Sequence, residues 1–189
     1  MAALCWAIML AGRLAPASES AAAPYAADSA ASRLEFTGIQ AGAAFKAVFH
    51  KFTAAVDFSP DALASTHFDV MIDLKSVDTM DQDRDDTIRG ADLFDVAHFP
   101  SAHYVTHGAA IKTATGYSAS GTLTLRGVAK DVPIEFTFAP GSAGAKLTGT
   151  ARLKRLDFGV GQGDWKSTES VGNEVTVNFS LALNPRAPH

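Results

Sequence analysis

His67-Phe68-Asp69-Val70-Met71-Ile72-Asp73-Leu74 runs into Ser76-Val77-Asp78-Thr79, then Asp81-Gln82-Asp83-Arg84-Asp85-Asp86, and on to Ala91-Asp92-Leu93-Phe94-Asp95-Val96-Ala97-His98-Phe99-Pro100. The opening residues alternate: Phe68, Val70, Ile72 and Leu74 share one face, and Asp69 and Asp73 fall on the other. Successive side chains of a strand point to opposite faces, so this period of two describes an antiparallel strand with one dry face and one wet face. The acidic run after it suits the start of a short helix near residues 83–90, because carboxylates in a first turn are favoured by the helix macrodipole.

The same alternation recurs on both sides. Phe45, Ala47 and Phe49 form one set, and Phe52, Ala54, Val56 and Phe58 another. Leu123 with Leu125, Ile134 with Phe136 and Phe138, the run from Leu147 to Leu153, and Val175 with Val177, Phe179 and Leu181 continue it. Breakers separate these runs, at Ser59-Pro60-Asp61, Thr115-Gly116, Arg126-Gly127, Pro140-Gly141 and Gly159 to Gly163. The expected fold is therefore all-β: about eight antiparallel strands closing into a barrel or packing as a sandwich, with a single short α-helix after the third or fourth strand. Eight strands in a barrel leave an interior that side chains fill or that holds one small ligand.

Residues 1–22 read as a secretory signal, with an apolar run from Leu4 to Gly12 followed by small residues. Residues 23–31 then read as a linker, 32–183 as the barrel domain and 184–189 as a tail. Export places the protein in the periplasm or outside the cell. Cys5, the only cysteine, falls inside the apolar run, so no disulfide framework or thiol chemistry is expected. A formal net charge of -4 without a basic cluster argues against nucleic acid as a partner.

Three blocks carry a family resemblance. The first is Ser76-x-x-Thr79, Arg84-Asp85, Phe94-Asp95-Val96 and Phe99-Pro100, with a strand closing on Tyr104; the second is Gly121-Thr122-Leu123-Thr124-Leu125-Arg126-Gly127-Val128. The third is Arg155-Leu156-Asp157-Phe158-Gly159-Val160. Together they resemble the YceI-like family of lipocalin-type, polyisoprenoid-binding periplasmic proteins, over roughly residues 32–183. The sequence departs from the family where many members carry His at the position of Thr87 and Pro at that of Asp131.

The resemblance implies a lipocalin-like eight-stranded barrel that binds, and carries, a polyisoprenoid such as a ubiquinone-like lipid or an isoprenyl phosphate. No other cofactor is implied. The composition suits that ligand: twelve Phe stand against three Tyr and two Trp, and Phe brings no polar handle that must be satisfied when buried. The expected cavity wall takes Phe45, Phe49, Phe68, Ile72, Leu93 and Phe94 from the first half of the chain, with Phe99 and Tyr104. From the second half it takes Leu123, Leu125, Phe136, Phe158, Trp165, Val177 and Phe179. Arg84 and Arg155 are expected either to meet a ligand head group, since guanidinium forks bind pyrophosphate bidentately, or to form ion pairs within the chain. The ending from Gly161 to Val175 looks like the branch of the family sometimes fused to a membrane b-type cytochrome, which implies a quinone-linked partner. A homodimer is left open.

Other chemistries fit poorly. Asp81, Asp83, Asp85, Thr87, Arg89 and Asp92 have the spacing of an EF-hand loop, but Asp86 stands in place of the required Gly, Arg89 is cationic and Asp92 is one carbon short of Glu. The six histidines are scattered: His103 and His107 lie about 13 Å apart on a strand. Neither a nucleophile elbow nor a zinc-protease helix, phosphate loop or dinucleotide fingerprint occurs. The protein is read as a non-enzyme; a lipid-processing enzyme using the same cavity and a structural barrel with a filled core are the alternatives.

Overall fold

The computed structural model describes residues 22–187. All of the proposed signal except Ala22, including Cys5, lies outside the described residues, as does His189.

The described residues form eleven antiparallel strands and one α-helix. The first half holds β1 (Ala23–Ala27), β2 (Arg33–Gln40), β3 (Ala43–Phe49), β4 (Phe52–Phe58), β5 (His67–Asp73) and β6 (Val77–Asp78). Helix α1 (Gln82–Arg89) follows, then β7 (Ser101–Lys112), β8 (Tyr117–Leu125), β9 (Val128–Pro140), β10 (Ala145–Lys154) and β11 (Glu174–Pro185). Eight strands close a ring in the order β1, β4, β5, β7, β8, β9, β10, β11 and back to β1. The ring is the expected lipocalin-like barrel. One edge of β11 serves two partners: residues 183–185 pair with β1 and 176–180 with β2, and from there β3 and β6 extend the wall.

Two boundaries differ from the sequence reading. Residues 23–27, read as linker, are the strand that closes the ring, and β11 continues through Asn184 and Pro185 into the segment read as tail. Ala23, Pro24, Ala26 and Ala27 are too small and too similar to show alternation. The helix follows the sixth strand because β1, β2 and the two-residue β6 also precede it.

Turn chemistry fixes the register. Ala41-Gly42 joins β2 to β3 and Arg126-Gly127 joins β8 to β9, all four residues having positive φ. That pair of conformations makes the type I′ turn whose twist matches a β-hairpin. Arg126 is a bulky residue in a left-handed conformation that costs about 1–2 kcal/mol. Its Nη1 donates to the carbonyls of Ala91 at 2.6 Å and Leu93 at 2.8 Å, which offsets that cost and ties the turn to the Phe94 segment.

Aromatic rings floor one end of the barrel. Phe58 meets Tyr117, Phe136 and Phe138 with ring centroids 4.9, 5.1 and 5.0 Å away, and Phe68 meets Phe136 at 5.2 Å. Edge-to-face and tilted geometries dominate, as the ring quadrupoles favour. At the other end sits α1. Asp81 caps it by accepting from the Arg84 backbone N–H at 3.1 Å. Buried Asp85 accepts from Thr79, at 2.8 Å from the backbone N–H and 2.7 Å from the hydroxyl. The acidic run is thus used to start the helix and fasten it to the preceding loop, while Ile88 turns toward the interior.

Candidate ligand cavity

Between the aromatic floor and α1 lies a cavity of about 210 Å³. Its size far exceeds the space a single water needs. Inward positions of nearly every strand contribute apolar groups, among them Phe36 on β2, Val56 on β4, Val70 on β5, Ile134 on β9, Leu147 on β10 and Leu181 on β11. Among the described residues that line it, only Tyr104 and Arg155 have polar side chains, and both are satisfied by the wall itself.

The Tyr104 hydroxyl donates to the Val132 carbonyl at 3.0 Å, and burial raises its phenol above the ordinary range. Arg155 is 4% exposed. Its Nε donates to the Gly172 carbonyl at 3.0 Å, Nη1 to that of Val160 at 2.9 Å, and Nη2 to those of Ser167 at 3.2 Å and Val171 at 2.8 Å. Burial lowers its guanidinium from the usual value, and no carboxylate lies within salt-bridge distance among the described residues. Gly161, at a φ of 118°, is what lets the loop close here: a Cβ on it would overlap Arg155 Nη1. Arg155 therefore pins the loop between β10 and β11.

At the α1 end the cavity abuts a polar vestibule of about 280 Å³. Phe45, Ile88, Leu93 and Val171 line both. Gln40, Asp81, Asp83, Arg84, Thr87 and Trp165 supply the vestibule's polar and amphipathic groups. The Arg84 guanidinium carbon lies 5.1 Å from the Phe45 ring centroid, with Nε donating to Gln40 Oε1 at 3.2 Å and Nη2 at 3.4 Å from Asp81 Oδ2. Gly38 makes this arrangement feasible, since a Cβ there would come within 2.9 Å of the Phe45 ring.

Of the expected wall residues, Phe45, Phe49, Phe68, Ile72, Leu93 and Phe94 line the cavity, as do Tyr104, Leu123, Leu125, Val177 and Phe179. Four do not. Phe136 is turned into the aromatic floor, Phe158 is buried within the turn that follows β10, and Phe99 packs on the Arg126-Gly127 turn. Trp165 stands in the vestibule, half-buried. Of the two arginines, Arg155 lies on the wall with its donors on carbonyls, and Arg84 lies in the vestibule. Sequence reading missed Leu34 and Phe36, because Gly38 cuts their alternation short, and Ile88, whose inward turn depends on how α1 docks.

The YceI-like domain matches residues 25–183. The structure is similar to that of BcnA from Burkholderia cenocepacia, with a TM-score of 0.77, 34% identity, and coverage of 82% of this chain and 98% of that one. A polyisoprenoid-binding domain from Saccharophagus degradans has the same fold at a TM-score of 0.63 and 19% identity, covering 87% of this chain and 99% of that one. A UPF0312 protein of Vibrio cholerae is 28% identical over 153 residues, which is 72% of this chain and 81% of that protein. YceI-like proteins are periplasmic or secreted. With the domain spanning the barrel from β1 to β11, the chain belongs to the YceI-like family.

Proposed function

We propose that the protein binds and carries a polyisoprenoid lipid, its tail in the barrel cavity and its head in the vestibule. A single observation carries this reading: a cavity whose only two polar side chains already have partners in the wall. An unbranched run of hydrogen-bonding groups would find nothing to pair with there, whereas each buried CH₂ of a hydrocarbon gains about 0.8 kcal/mol. The polyisoprenoid-binding domain of Saccharophagus degradans, alike in fold, supports the choice of ligand class. A ubiquinone-like lipid or an isoprenyl phosphate meets these requirements, and a membrane b-type cytochrome is the redox partner that a quinone cargo implies.

The test is uptake. Delipidated protein mixed with a long-tailed ubiquinone should show quenching of Trp165 fluorescence and a rise in melting temperature, because a ligand that binds only the folded state stabilises it. Absence of both effects would remove the proposal.

A further inference from the structure

Resting on the carrier reading, the depth of the cavity decides how much of a tail it takes. The lining runs from Leu74 to Phe68 along β5 and from Val175 to Leu181 along β11, the same number of residues on opposite sides of the barrel. At about 3.4 Å per residue that is about 20 Å of strand, or about 15 Å along the axis of a barrel whose strands tilt by about 40°. Spread over that length, about 210 Å³ is a narrow channel, which a tail enters in single file.

The strands continue past this depth, but the space between them does not. The Phe68 ring, last of the β5 wall, lies 5.2 Å from Phe136 and 6.4 Å from Phe58 between centroids. Behind that pair Phe138 stands 5.0 Å from Phe58 and 5.8 Å from Tyr25. Phe58 and Leu183 are 0% and 2% exposed, and neither they nor Phe136 and Phe138 line the cavity. A close-packed interior of this kind accepts no added carbon without forcing its side chains off their rotamers.

We infer that the aromatic floor, through Phe68 and Phe136, is the tail-length gauge of this protein. An extended carbon chain advances about 1.2 Å per bond, as a polypeptide backbone does, and an isoprene unit adds four bonds, so the channel takes about three to four units. A tail of that length fills it from floor to vestibule. A shorter tail leaves apolar wall without contacts. A longer one is still held, but the units nearest its head stay outside the cavity, where they gain no burial.

A ladder of all-trans prenols one unit apart, from farnesol through geranylgeraniol to solanesol, tests the gauge, because only the tail changes along it. Delipidated protein is equilibrated with vesicles carrying the prenols in equal amounts, and its organic extract is quantified by mass spectrometry. Retention should peak at about three to four units and fall several-fold toward solanesol. Phe136→Leu, which lowers the floor, should move the peak to a longer tail, and Leu181→Phe, which raises it, to a shorter one; melting curves establish that each variant is folded. A peak at about twice the expected length or beyond, or one that a folded variant does not move, overturns the gauge and leaves the carrier reading intact. If no prenol is retained, the carrier reading fails and the gauge fails with it.

Discussion

Arg84 lies over the Phe45 ring, 5.1 Å from guanidinium carbon to centroid, at the line where the apolar cavity meets the polar vestibule. One face of the ring is thereby held by a charge that is itself tethered to Gln40 and Asp81. A residue of α1 thus fixes the position of an aromatic residue of β3 at the cavity mouth.

Arg84→Ala should leave the barrel folded, with a stability loss of about 1 kcal/mol, since a partly exposed cation–π contact and ion pair contribute little. Release of a bound lipid should quicken, because Phe45 loses its restraint. Stopped-flow measurement of lipid transfer to acceptor vesicles, beside a melting curve, separates the two effects. An unchanged release rate would show that Phe45 is held by Phe36 and the barrel alone.

Gly161→Ala and Arg155→Ala should both be strongly destabilising, by about 3 kcal/mol or more. The first places a methyl group where Arg155 Nη1 sits, and the second leaves four carbonyls short of their donor. Urea denaturation is the check, and mild losses in both would contradict the pin assigned to Arg155.

Floor and cavity should respond in opposite ways to a change of volume. Phe136→Ala removes a ring packed against Phe58, Phe68 and Tyr117 and should cost about 3–5 kcal/mol. Val177→Trp adds volume where the wall borders open space, so it should reduce lipid uptake while the fold survives. In a close-packed interior the same insertion would cost about 1–3 kcal/mol. Melting curves and lipid retention, measured on both variants, distinguish the two regions.

Acid should weaken the fold through surface carboxylates. Asp78 is held below its ordinary value of 3.8 by hydrogen bonds from His50 and the Met80 N–H, and Asp131 likewise by His107 and Thr122. A carboxyl that holds its proton less tightly when folded contributes its full stabilisation above the unfolded value, and loses it as pH falls through the lower folded value. The loss therefore begins near pH 4 and deepens below it. Asp78→Asn combined with Asp131→Asn should flatten the melting profile in that window by lowering the melting temperature slightly at pH 7, a small effect because salt screens such exposed pairs, while matching the unsubstituted protein at the acid end.

Alternation made most of the wall legible, because Phe68, Val70 and Ile72 on β5 or Val175, Val177 and Phe179 on β11 contrast sharply with their polar neighbours. Where contrast is missing, the sequence is silent: β1 is built of alanines, a proline and a tyrosine, and its role in closing the ring comes from pairing with distant β4 and β11. Period two also cannot say where along the axis an inward residue falls. Phe136 and Ile134 share a face, yet one enters the floor and the other the cavity wall. Arg155 was identifiable as a special position from its motif, but its carbonyl partners at 160, 167, 171 and 172 depend on a loop whose path three glycines shape.

Mass spectrometry of the organic extract from gently purified protein tests the central claim most directly. Extraction should release a polyisoprenoid lipid in near-stoichiometric amount, and Val177→Trp should carry less of it. An extract without such a lipid, from protein that also fails to take up added ubiquinone after delipidation, would contradict the assignment of the cavity to an isoprenoid tail.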